Sequence, residues 1–140
     1  MKNKPLLFFC ALMLAGGQLS AQTADRPFKG RFYNEENRIY LTLDLYEATL
    51  DAPGLSFLGK MNGFMNGNIY GIWLLTSHKI EGKTATLRFS NDQGSDAQTV
   101  RLTAQSDSVL IYKALDGNSI RRVEKRKLVK IPSEMTFRRK

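Results

Sequence analysis

The chain has 140 residues and a mass of 15.8 kDa, with 42% apolar and 24% charged residues. That is the balance of one globular domain and not of a collagen-like, mucin-like or disordered chain. Lys and Arg number 21 against 13 Asp and Glu, a formal charge of +8, with one Cys and one His. This inventory excludes a histidine-rich zinc site.

Lys2 and Lys4 precede an apolar run over residues 6–15, and Leu19-Ser20-Ala21 ends it with small residues. The pattern predicts a secretory signal peptide over 1–21, cut after Ala21, and a periplasmic or secreted mature chain. The run is too short for a membrane span. The mature chain then has no Cys, because Cys10 lies in the leader. It meets an oxidising compartment without disulfides, so its core must hold it together. Cysteine catalysis is excluded as well.

Residues 38–46 alternate strictly, with Ile39, Leu41, Leu43 and Leu45 on one face, and predict a half-buried strand. Residues 55–65 repeat the pattern through Leu55, Phe57, Gly59, Met61, Gly63 and Met65. Residues 70–75 form a continuous apolar run around Trp73, as a buried strand does. Short strands are expected at 83–89, 98–104, 109–114 and 119–123, and another at 127–131. Turn-rich segments separate them at 34–37, 51–54, 66–68, 81–83, 91–96 and 116–118. The fold class is therefore all-β: an antiparallel meander of about eight strands, closed or partly open as a barrel. The expected organisation is a signal peptide over 1–21, a barrel domain over 22–131 and a basic tail over 132–140.

Residues 28–131 resemble the small bacterial calycin-like proteins, relatives in shape of the lipocalins. Gly30-Arg31-Phe32-Tyr33 sits where a lipocalin first strand has Gly-x-Trp, with Phe32 in place of the Trp. The resemblance implies a calycin-like barrel able to hold an apolar cavity. It also implies a late basic residue, Arg121 or Arg122, packed across the first-strand aromatic. It carries no catalytic residues.

The residues themselves offer little catalytic chemistry. Ser77 and His78 are neighbours, and strand neighbours point to opposite faces. Glu35 and Glu36 lie in a turn between strands, and with Asp44 they are carboxylates of a kind common on any surface, whereas glycosidase chemistry needs a pair set at a defined distance across a sugar. The 91–96 loop is rich in oxygen ligands but does not follow an EF-hand. No phosphate-binding glycine loop joins a strand to a helix. The expectation is a non-enzymatic protein without metal or cofactor. Phe57, Met61, Met65 and Trp73 are the candidate lining of a pocket for a small apolar or amphiphilic ligand. The alternative is an inhibitor or immunity-type protein that binds another secreted protein through a loop such as 51–54. A cavity in the barrel favours the first reading, and a filled core with a protruding loop favours the second.

Charge is uneven along the mature chain. Residues 121–140 carry +7 and residues 22–120 carry −1. Lys125, Arg126, Lys127 and Lys130 are candidate contacts for an anionic glycan or a lipid headgroup. Export argues against a nucleic-acid partner.

Overall fold

The structure, a computed structural model, describes residues 26–140. The expected signal peptide over 1–21 lies outside the described residues. The chain from Lys29 onward is almost entirely strand and turn. In order come β1 (Lys29–Asn34), β2 (Ile39–Asp44), a 3₁₀ turn (Ser56–Leu58), β3 (Gly63–Gly67), β4 (Trp73–Glu81) and β5 (Thr84–Asn91). They are followed by β6 (Ala97–Ala104), β7 (Val109–Leu115), β8 (Arg121–Glu124), β9 (Lys127–Lys130) and β10 (Glu134–Arg139). Strands β1 to β7 pair each with the next, and β10 pairs with both β7 and β1, closing an eight-stranded antiparallel barrel. The two remaining strands, β8 and β9, form a separate hairpin inserted before the closing strand.

Period-two alternation explains the walls. β2, β5 and β6 bury every second residue, among them Leu41, Leu87 and Leu102. Every strand of the barrel sends side chains into one core. Phe32 of β1, Leu41 of β2, Met65 of β3, Leu87 of β5, Leu102 of β6, Tyr112 of β7 and Phe137 of β10 are each 0% exposed, and Trp73 of β4 is 3% exposed. Side chains with no surface open to water leave no lumen around them. An eight-stranded barrel is narrow enough to be filled in this way.

Two expectations need correction. The 132–140 segment is not a tail, because it contains β10. Met135 and Phe137 face the core, and Glu134, Thr136 and Arg138 face water. The predicted strand over 55–65 is mostly loop, and only β3 at its end is a strand. β2 is just long enough to pair with 63–67. The last contact with β2 is at Asn62, whose carbonyl accepts the Asp44 N–H at 2.8 Å; residues before it have no strand of β2 across from them, and Gly59 at φ +90° breaks the extended path. Alternation without a partner strand does not make a sheet.

The barrel has two distinct ends. One carries the long 45–62 connection and the turns at 82–83 and 105–108. The other carries the turns at 35–38, 68–72 and 92–96, together with the β8–β9 hairpin.

Candidate functional site

The 45–62 connection begins at Asp44, which is 2% exposed. Its Oδ1 accepts the backbone N–H of Tyr46 at 3.2 Å and of Glu47 at 3.1 Å, and its Oδ2 accepts the Thr49 hydroxyl at 2.6 Å. Lys29 stands 3.9 Å from Oδ2. Burial alone raises the pKa of this carboxyl. The Thr49 hydroxyl, the two N–H donors and Lys29 outweigh burial and leave the pKa below its ordinary value. Asp44 is therefore a structural knot, and Glu35 and Glu36 lie in the turn at the other end of β1 and β2. They cannot work with Asp44 as an acid–base pair. His78 is also occupied structurally, with Nε2 donating to the Leu45 carbonyl at 2.8 Å.

From this knot the loop rises as a stapled projection. Leu50 and Met61 exchange backbone hydrogen bonds at 3.0 and 2.8 Å. Above them Asp51 and Lys60 form an ion pair at 2.6 Å. Ala52 is buried, and its carbonyl accepts the Leu55 N–H at 2.9 Å across Pro53 and Gly54. Pro53 first and Gly54 second, the latter at φ +74°, is the signature of a type II turn. The 3₁₀ turn at the crest is closed by the Leu58 and Gly59 N–H groups, each at 3.0 Å. On that crest Phe57 is 79% exposed and Leu58 52% exposed.

The four expected pocket residues thus separate. Met65 and Trp73 face each other across the β3–β4 ladder and help to fill the core. Met61 is half-buried in the base of the loop. Phe57 stands outside the barrel altogether. A ring on the far side of a turn has no wall to share with Met65 and Trp73, so the four do not line one pocket.

At the other end the barrel is plugged. Ile120 and Ile131 are buried over the core. The buried Gln98 holds this segment in place, accepting the Ser119 N–H at 2.6 Å and donating to the Leu115 carbonyl at 2.9 Å. Beside the plug runs an open groove of about 450 Å³ that includes Tyr70, Trp73, Asp92, Asp96, Arg121 and Leu128. The Trp73 Nε1 has no hydrogen-bond partner among the described residues. The same holds for the Tyr112 hydroxyl, which burial pushes well above its ordinary pKa. The 91–96 loop satisfies itself, with the Asn91 amide oxygen accepting the Ser95 and Asp96 N–H groups.

Lys125, Arg126, Lys127 and Lys130 all lie on the β8–β9 hairpin and all are exposed. The cation over Phe32 is Arg139, with its guanidinium carbon 4.7 Å from the ring centre, and not Arg121 or Arg122. Arg139 also donates to the Asp107 carbonyl at 2.6 Å and to the Lys29 carbonyl at 2.5 Å. A Cβ at Gly30 would collide with that guanidinium, so the first-strand glycine is what lets it pass. Parity was the sequence signal for this contact: Arg139 continues the inward series of Met135 and Phe137.

Comparison with protein-family models, curated proteins and solved structures returns no match for this chain.

Proposed function

We propose that this is a non-enzymatic binding protein that engages another exported protein through the loop crowned by Phe57 and Leu58. The observation that carries the reading is a large aromatic side chain, 79% exposed, on a stapled loop above a filled barrel. Aromatic anchors are the commonest hot spots of protein interfaces, and burying one yields roughly 2–3 kcal/mol. A loop held by a type II turn, a backbone bridge and an ion pair loses little freedom on binding, which favours affinity. The packed core argues against an apolar ligand inside the barrel. Gly30, Phe32 and Arg139 support kinship in shape with the calycin-like proteins.

The groove at the opposite end supports a second reading, a small amphiphilic ligand. It combines the Tyr70 and Leu128 side chains with Asp92, Asp96 and Arg121.

Native mass spectrometry on protein isolated from its own periplasm or medium tests the proposal. A defined complex with a second protein is expected, lost in Phe57→Ala and in Leu58→Ser, with the melting temperature unchanged. A protein that runs free, or a complex that survives both substitutions, overturns it. A retained small molecule, insensitive to Phe57→Ala and lost on changing Tyr70 and Arg121, supports the groove instead.

A further inference from the structure

The β8–β9 hairpin stands off from the barrel as its own two-stranded sheet. Its base is fixed. The Arg121 carbonyl accepts the Tyr70 N–H at 2.7 Å, the Ile120 carbonyl accepts the Ile131 N–H at 3.1 Å, and Arg122 donates to Asn37 at 3.0 Å. Val123 and Leu128 are directly paired across the ladder, 54% and 53% exposed. The other pair on that face is Arg121 and Lys130. Six cations stand on residues 121–130 against one carboxylate, Glu124, for a net +5. Glu124 lies 3.4 Å from Arg122, whose side chain is 24% exposed.

The tip carries a second signal. Lys125 and Arg126 have φ of +51° and +68°, so both central residues of the turn are left-handed. That backbone ordinarily selects Asn-Gly, because side chains with a Cβ are strained there. Two long cations therefore occupy a position where smaller residues would be more stable. Strain of this kind is found where a side chain serves something other than the fold.

A soluble polyanion has a use for the cations and none for an apolar pair set among them. A bilayer interface takes both: cations among the headgroups, and apolar side chains at the acyl boundary. We propose that the hairpin docks the protein on an anionic lipid surface. Val123 and Leu128 enter the interface, and Lys130 on the same face, with Lys125 and Arg126 at the tip, contacts the headgroups. The Phe57 loop sits at the opposite end of the barrel and faces away from that surface, so this inference does not depend on the protein-partner reading.

The test is co-sedimentation of the purified protein with phosphatidylcholine vesicles, with and without phosphatidylglycerol, at physiological ionic strength. Binding is expected only where phosphatidylglycerol is present. Each cation near an anionic surface accounts for about fivefold in partitioning, so Lys125→Asn with Arg126→Gly should weaken binding roughly 25-fold. The same double variant should melt no lower than the parent, because it relieves the turn. Val123→Ser with Leu128→Ser should weaken vesicle binding about tenfold and leave retention on heparin resin unchanged. Equal binding to both kinds of vesicle overturns the proposal. So does unchanged vesicle binding in either double variant, or a loss on heparin that matches the loss on vesicles.

Discussion

Asp44 shows how much one side chain can carry here. It ends β2, caps the first turn of the 45–62 connection and keeps its charge in a site nearly closed to water. Its three hydrogen bonds outweigh desolvation, so its pKa in the folded protein lies below the ordinary 3.8. A carboxyl whose folded pKa is depressed contributes stability that is fully present above its unfolded value. That contribution is lost as pH falls through the folded value. Asp44→Asn removes the charge and one of the two accepting oxygens, and should cost about 1–3 kcal/mol at neutral pH. Urea midpoints of parent and variant should converge in strong acid, where the parent's carboxyl is protonated as well. A gap that stays constant from neutral to acid pH would falsify the electrostatic account. Arg139 is the counterpart at the same end. A guanidinium over Phe32, bonded to two backbone carbonyls, holds the first and last strands together where they meet.

At the scale of the elements, β10 separates what was legible in the sequence from what was not. β2, β5, β6 and β7 could be read because alternation and flanking turn residues agree. β10 alternates too, through Met135 and Phe137, but its charges dominate the composition and mark it as a tail. The 55–65 run alternates as clearly and is loop as far as Asn62. Periodicity states which residues share a face, and a strand also needs a neighbour at hydrogen-bonding distance, which no local pattern encodes. The site residues divide in the same way. The hairpin cations are as exposed as charge alone implies. Phe57 is exposed on the outside of the barrel and does not line its inside, because facing depends on the missing partner strand. Deleting 132–140 should therefore do more than trim charge. It unpairs the edges of β1 and β7 and removes two core side chains. The shortened chain is expected to lose its near-ultraviolet circular dichroism and to self-associate. A cooperative melt close to that of the full chain would show that β10 is dispensable.

Over the whole molecule, closure depends on partners far apart in the chain. Phe32 pairs with Arg139 and Tyr33 with Arg138, while every other strand pairing of the barrel joins strands adjacent in order or reaches β10 from β7. Closing so long a loop costs entropy before it yields contacts, which places folding in the slow range, milliseconds to seconds. One continuous core also ties the walls together, because side chains from all eight barrel strands touch it. Trp73 is the single tryptophan and sits in that core against Met65. Its fluorescence therefore reports the core, and far-ultraviolet circular dichroism reports the ladders around it. The two signals should fall together in urea, as in a two-state transition. The β8–β9 hairpin and the Phe57 loop project from opposite ends and contribute only their anchoring residues to the core. Substitutions at Phe57, Leu58, Val123 and Leu128 should leave that shared midpoint where it is. A Trp73 transition that precedes the loss of strand signal would mean that the core opens before the barrel does. The closed ladder, and not the packing within it, would then be what holds the fold.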